Sequence, residues 1–268
     1  MQNVIEDAYL CKTLTTKHKQ AVLQTVKKLN SGDLRICTYD ASHDQWQTHE
    51  WVKKAILLYF RLQKMTKIKA GALEFYDKIP LKKWTPKDHV RVVPHALVRH
   101  GAFVAPGAIL MPSYVNIGAY VGEGTLVDTW ATVGSCAQVG ARVHLSGGVG
   151  LGGVLEPVQA APVIIEDDVF VGSRSIIVEG VRVKKGAVVG AGVTLTASSK
   201  IIDVSQGKPI EHRGVVPENS VVIPGSLPKV FPAGTYNVNC ALIIGKRSAS
   251  TDKKTSLNQA LREFQVSV

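Results

Sequence analysis

From Leu97 onward, every sixth residue is a branched aliphatic or a Phe: Leu97, Phe103, Ile109, Val115, Val121, Val127, Val133, Val139 and Leu145. The series stops there and resumes in a new phase at Ile165, Val171, Ile177, Val183, Val189 and Leu195. A period of six fits neither the 3.6 of a helix nor the 2 of a strand, so it marks an internal repeat that stacks on itself. Four residues after each large side chain sits a small or β-branched one: Gly101, Gly107, Ser113, Ala119, Thr125, Ala131, Ala137 and Val143. Large and small side chains filling an interior in turn predict a narrow coil of short parallel strands that closes without a sheet edge. Val215, Val221 and Leu227 recover the spacing, so the coil is predicted over about 91–230.

Composition agrees with a stacked core of Val and Ile: 6% of the 268 residues are aromatic and 24 are Gly. With 20% charged residues the chain is not of the disordered class. The net charge of +11 predicts an anionic partner, a nucleic acid or a polyanionic small molecule. Nucleic acid is disfavoured because the few aromatics do not interleave with Lys and Arg as a stacking platform requires. Cys11, Cys37, Cys136 and Cys240 are scattered, without a C-x-x-C. That spacing predicts neither a disulfide framework nor a metal site, and fits a reducing compartment. No basic-then-apolar leader and no apolar run of about 18 residues is present, so a soluble, cytoplasmic protein without membrane contact is expected.

Residues 1–90 read as an α-rich N-terminal domain. Thr16–Leu29 places Ala21, Val22, Thr25, Val26 and Leu29 on one helical face, and Asn30-Ser31-Gly32-Asp33 ends it. Leu34–Thr38 reads as a strand, and Thr48–Leu62 as a second helix with Thr48 at its N-cap. The coil, 91–230, carries loop insertions near 146–164 and 198–214, of the kind that collect function on one side of a repeat stack. In the C-terminal extension, 231–268, Tyr236–Ile244 reads as a strand and Ser256–Phe264 as a short amphipathic helix. Gly148, Gly150 and Gly153 make a formal G-x-G-x-x-G, but Pro157 and Pro162 follow it and no helical period does. A dinucleotide site needs that helix, so the glycines read as a loop needing positive φ.

The six-residue pattern resembles the hexapeptide-repeat acyltransferases, which fold as left-handed parallel β-helices and form trimers. Longer blocks are more specific. They are Arg91-Val92-Val93-Pro94, Leu110–Val121 (LMPSYVNIGAYV), Val127–Gln138 (VDTWATVGSCAQ), His144–Gly150 (HLSGGVG) and Gly152–Pro157 (GGVLEP). With Trp46, Trp51 and Lys53-Lys54-Ala55, they resemble the tetrahydrodipicolinate N-succinyltransferases over nearly the whole chain. The resemblance implies succinyl transfer from succinyl-CoA, a co-substrate rather than a tightly bound cofactor, to the amine of ring-opened tetrahydrodipicolinate (2-amino-6-oxopimelate) in diaminopimelate and lysine biosynthesis. It further implies a homotrimer, substrate binding by Arg91, and a substrate-contacting catalytic role for Asp128.

These roles make chemical sense. A dicarboxylate acceptor wants fixed cations, and Arg binds carboxylate bidentately. The ammonium must lose a proton while held against the thioester carbonyl, and Asp128, following an inward Val127, is placed to bind it and accept that proton. The slots compared with it one and two repeats away, Asn116, Gly122, Gly134 and Gly140, carry no charge. For the cofactor, Gly148 and Gly150 lie in a segment able to offer backbone N–H groups to an oxyanion. Lys184 and Lys200, with Lys185, Lys208 and Arg213, are candidates for the CoA phosphates. His144, beside the Gly-rich segment, is a possible proton relay. In one respect the chain departs from the family: Arg174-Ser175-Ile176-Ile177-Val178-Glu179-Gly180 puts Ile176 where a second catalytic glutamate is expected, so that either Asp128 suffices or another residue, Glu179 or Glu166, takes over. An acetyl-CoA-dependent N- or O-acetyltransferase of the same fold is the alternative. A β-helical carbonic anhydrase needs three converging histidines, and His95, His100 and His144 are not so clustered.

Overall fold

A computed structural model describes residues 1–247. From residue 91 the chain winds through two-residue parallel strands joined by short corners, each strand pairing with the one three strands later. The result is a left-handed parallel β-helix with three flat faces, the opposite hand to ordinary parallel crossovers. In each strand the second residue points inward and is buried, as at Val115, Val121, Val127, Val133, Val139 and Leu145. Burying each such aliphatic contributes about 1.5–3 kcal/mol, and stacked rungs repeat the gain.

The three outward columns are the frame for everything that follows. The first face carries Arg91, Ile109, Leu126, His144, Phe170 and Val188. The second carries Leu97, Tyr114, Thr132, Gly150, Ile176 and Thr194. The third carries Phe103, Tyr120, Gln138, Ile164, Arg182 and Val215.

The predicted phase slips by one residue at the start. Val98, Val104 and Leu110 are the inward residues, not Leu97, Phe103 and Ile109. The corner Met111-Pro112-Ser113 is one residue shorter than its neighbours and brings the two series into register. The small inward residues there are Ala102 and Ala108, while Gly101 and Gly107 are corner residues with positive φ. Nor does the repeat stop at Leu145: Leu151 is the next inward residue, so the first insertion is confined to 152–163. The second insertion is not a loop but a hairpin, Lys200–Asp203 with Ile210–Arg213. At the C-terminal end Val216 and Val222 point inward, and Leu227 lies in a long hairpin, Ser220–Phe231 with Gly234–Lys246, which contains the predicted Tyr236–Ile244 strand. The predicted Ser256–Phe264 helix lies outside the described residues.

Ahead of the coil lie α1 (Gln2–Leu10), α2 (Thr16–Ser31), the hairpin β1 (Cys37–Asp40) and β2 (Gln45–Thr48), α3 (Glu50–Leu62) and the hairpin β3 (Thr66–Ala70) and β4 (Leu73–Asp77). Helix α2 is closed by a Thr15 capping box and ends on Gly32 with φ +85°. Thr48 is the last residue of β2, and His49 is the N-cap of α3. The three helices share a core that includes Ile117 and Cys136 from the corner between the second and third faces. Two buried lysines fasten the halves together. Lys53 Nζ donates to the Ala160 carbonyl (2.6 Å), and Lys82 Nζ donates to Asn30 O (2.7 Å), Asn30 Oδ1 (3.1 Å) and Ala102 O (3.2 Å). Burial pulls Lys82 down to about 8. Among the described residues no helix is long and apolar enough to cross a membrane.

Candidate active site

One corner of the coil gathers unusual residues: the one joining the first face to the second. The residue leaving each first-face strand there forms a column, Met111, Asp128, Ser146, Gly172, Gly190, stacked by rung hydrogen bonds such as Asp128 N–H to Leu145 O (2.9 Å). Asp128 is the one charge in that column. Its stacked neighbours are therefore Met111 and Ser146, and the Asn and Gly slots compared with it from sequence belong to the other two corners.

The Asp128 carboxylate is held by its neighbour. Oδ1 accepts from Thr129 N (2.6 Å) and Thr129 Oγ1 (3.2 Å). Oδ2 faces His144, with Nε2 4.0 Å away. The two side chains are 34% and 37% exposed, while His144 Nε2 itself is buried. His144 is placed by register: it lies directly above Leu126 on the first face, its ring edge-on to Phe170 at 5.1 Å. Arg91 lies on the same face, two strands below Leu126, about 10 Å down the stack. It is exposed, so Arg91, Asp128 and His144 share one continuous surface.

The same corner carries Trp130, 71% exposed with φ +61°. Some corners place Gly at that left-handed position, as at Gly118, Gly124 and Gly148, and others a longer side chain, as at Cys136, Arg142 and Arg174. Holding a bulky residue there costs about 1–2 kcal/mol, the kind of strain that functional sites retain. One rung above, Arg174 lies over Gly148: a Cβ on Gly148, whose φ is +71°, would sit 3.2 Å from Arg174 Cγ. Arg174 brings a cation to the corner that sequence reasoning did not assign to it. The insertion at 152–163 lengthens the turn between Gly148 and Arg174, so a fixed spacing does not reveal it.

The cofactor candidates are not brought together. The amides of Gly148 and Gly150 donate to Thr129 O and Ser175 O (both 2.9 Å), so neither has its N–H available to an oxyanion. What Gly150 offers is space: a Cβ there would meet only Ile176 Cγ1, at 4.0 Å. Lys184 is at a different corner, paired with Asp44, and Lys200 pairs with Glu211 (3.0 Å) within its hairpin. Arg213 also pairs with Glu211, at 2.8 Å. Ile176 is 45% exposed on the second face, beside Gly150. The proposed substitutes for the missing glutamate are engaged elsewhere: Glu166 accepts from Arg182 and Trp46, and Glu179 from Ala197 N. Asp7, Cys11 and His18 come within metal-ligating distance of one another at the N-terminal helices. There, His18 Nδ1 accepts from Thr15 N (3.4 Å) and Nε2 faces Asp7 (2.9 Å), so the ring is already used by the capping box and an ion pair.

Comparison with known proteins is consistent along the chain. Residues 1–62 match the family described as tetrahydrodipicolinate N-succinyltransferase N-terminal, and 162–197 match the hexapeptide repeat of succinyl-transferase. A Coxiella burnetii protein named 2,3,4,5-tetrahydropyridine-2,6-dicarboxylate N-succinyltransferase is 52% identical over 273 residues, covering 98% of each chain. Proteins of that name from Tolumonas auensis and Neisseria meningitidis are each 48% identical, over 276 and 274 residues, again covering 98% of each chain. Among solved structures, a putative 2,3,4,5-tetrahydropyridine-2-carboxylate N-succinyltransferase from Campylobacter jejuni matches with a TM-score of 0.53 at 16% identity. It covers 89% of this chain and 64% of that one, and supports the fold.

Proposed function

Since the chain belongs to the tetrahydrodipicolinate N-succinyltransferase family, we propose that its acyltransferase site is the corner at Asp128, with succinyl-CoA as donor. The protein is an acyltransferase of diaminopimelate and lysine biosynthesis, passing a succinyl group to tetrahydropyridine-2,6-dicarboxylate. The observation that carries the site is the carboxylate of Asp128, pinned through Oδ1 by Thr129 and presenting Oδ2 toward His144 on the face that also carries Arg91.

In this reading Arg91 takes one carboxylate of the acceptor as a bidentate pair. Asp128 binds the amino group, fixing its nitrogen against the thioester carbonyl. As the C–N bond forms, the amine gives up its proton toward Asp128, with His144 beside it as the next acceptor. The bond to sulfur then breaks and CoA leaves as the thiol. Gly150 leaves the second face open for the acyl arm, and Arg174 supplies positive charge at the same corner.

The active form is a homotrimer in the cytoplasm. Exposed Trp130 at the corner and exposed Ile176 on the second face supply apolar surface that a neighbouring copy would cover. The test is thiol release from succinyl-CoA and from acetyl-CoA with 2-aminopimelate as a stable acceptor. Succinyl-selective, acceptor-dependent release supports the reading. Preference for acetyl-CoA would favour the acetyltransferase alternative, and release with neither donor from folded protein would refute both.

A further inference from the structure

A hollow lies away from Asp128, at the corner joining the third face to the first. Two adjoining cavities of about 530 and 500 Å³ share Arg35, Gly140 and Asp167 as walls. Asp128 sits at the opposite end of the first face, so the two sites are distinct.

Arg35 is an unusual wall. Its guanidinium lies 3.7 Å over the ring of Tyr120, with Trp46 5.5 Å away, so aromatic rings hold its plane. Nε donates to Gln138 Oε1 (3.1 Å), which fixes its rotation. Among the described residues no carboxylate comes within ion-pair distance; Asp167 acts on it only through space. Burial depresses its proton affinity, so the protein carries a partly desolvated cation whose fork is not matched by an anion of its own. Two other cations of the hollow are engaged, Arg182 on Asp44 and Glu166 and Lys184 on Asp44, while Lys185 also lines the first cavity. A planar guanidinium, stacked over an aromatic ring and held at Nε, keeps its two terminal nitrogens to grip a carboxylate with two parallel hydrogen bonds.

Asp167 complements it. Oδ1 accepts from Ala141 N (2.8 Å), which leaves Oδ2 directed outward, with Arg142 Nη2 3.8 Å away. Between the two charges the second cavity is walled by Phe103 and Pro106 as well as Tyr120. Positive fork, negative group and apolar wall together describe a zwitterion with a hydrophobic side chain. We propose that this hollow binds a free α-amino acid, its carboxylate on Arg35, its ammonium on Asp167 and an apolar side chain against Phe103 and Pro106.

The test uses the full chain labelled with ¹⁵N-tryptophan and follows the Trp46 indole N–H, which donates to Glu166 at the rim (3.1 Å); its signal is assigned as the one missing in Trp46→Phe. The probes are L-phenylalanine, acetate and phenethylamine, the last two each carrying one half of the zwitterion. L-phenylalanine should shift the signal saturably below about 10 mM, and each half-probe should bind at least about tenfold more weakly. Arg35→Lys keeps the charge but loses the fork, and should weaken binding by about tenfold or more. Asp167→Asn keeps the acceptor for Ala141, preserves the corner, and should weaken binding similarly. Asp128→Ala should change nothing. No saturable shift, equal shifts in both groove variants, or loss of the shift in Asp128→Ala would overturn the proposal. The readout needs no turnover, so it stands or falls separately from the acyl-transfer reading.

Discussion

Replacing Asp128 by Asn removes one negative charge and little else. Asn keeps an oxygen in the position of Oδ1, so the bonds from Thr129 N (2.6 Å) and Thr129 Oγ1 (3.2 Å) survive. Stability should stay within about 0.5 kcal/mol of wild type, as for a surface change that breaks no special feature. The catalytic effect is larger. An ammonium about 4 Å from a carboxylate gains roughly 4 kcal/mol at an effective dielectric of 20. Asp128 is 34% exposed, and water halves that to about 2 kcal/mol, or some 30-fold in rate. Loss of the proton acceptor adds up to the 10²–10⁴-fold typical of general-base removal. The expected result is a kcat/KM at least about 30-fold below wild type, and about 3 × 10³-fold or more below it where proton acceptance is also lost, measured by thiol release, with an unchanged melting temperature. Activity within about threefold of wild type would return Asp128 to the role of a turn residue bonding its own backbone. A large fall in melting temperature would show that the charge, not the chemistry, was being measured.

Four further outcomes are expected. Gly134→Ala puts a Cβ 2.2 Å from Gly153 N in the next corner, where rung hydrogen bonds prevent relaxation, and should cost about 3 kcal/mol or more. Gly150→Ala, with its nearest neighbour at 4.0 Å, should melt like wild type yet lose about tenfold or more in turnover if the acyl arm crosses that face. Lys82 should be read through pH. Its pKa is about 8 in the folded protein against 10.5 unfolded, so the unfolded chain binds more protons between those values. Its burial therefore penalises the fold fully below pH 8 and is relieved as pH rises toward 10.5. In urea melts the stability of wild type relative to Lys82→Met should climb over that window, and a flat difference would refute the assignment. Finally, Cys37, Cys136 and Cys240 are buried, and burial pushes Cys136 up to about 12, whereas Cys11 is partly exposed. A disulfide reagent at pH 8 should titrate one thiol per chain in native protein and four in denaturant.

The coil was legible because a closed stack must repeat its inward residues, and nothing but Val, Ile, Leu and their small counterparts fits there. Its phase was not, at first. Leu97–Val98, Phe103–Val104 and Ile109–Leu110 are apolar at both positions, so hydrophobicity alone does not say which one points in. The short Met111-Pro112-Ser113 corner then hid the slip. Helix α1 was missed because nine residues with two buried positions leave a weak period, and β3–β4 because its strands expose most of their side chains. Arg91 and Asp128 were found through family resemblance. Their common face follows from a different count, three strands and about 18 residues per turn, which a six-residue reading does not reveal. Lys184 and Lys200 do not meet within the chain, because surface charge in sequence carries no information about the partners it will meet, Asp44 and Glu211.

That count also bears on the missing glutamate. Position 176 belongs to the second face, directly above Gly150, while Asp128 stands at the corner between the first and second faces. A carboxylate at 176 would place a second charge on the side from which the acyl arm approaches. With Ile176 there, the second face carries no charge beside Gly150, and ionisable groups remain on the first face and at the corner: Arg91, His144, Asp128 and Arg174. Separating the two has a physical consequence. Apolar cover on one flank excludes water and strengthens the attraction of Asp128 for the ammonium, while His144 on the other flank gives the released proton somewhere to go. In this reading the chain does not need the second carboxylate to handle the proton, because the group beside Asp128 at 4.0 Å is an imidazole. Histidine passes between charged and neutral forms near neutral pH, which a glutamate ordinarily does not.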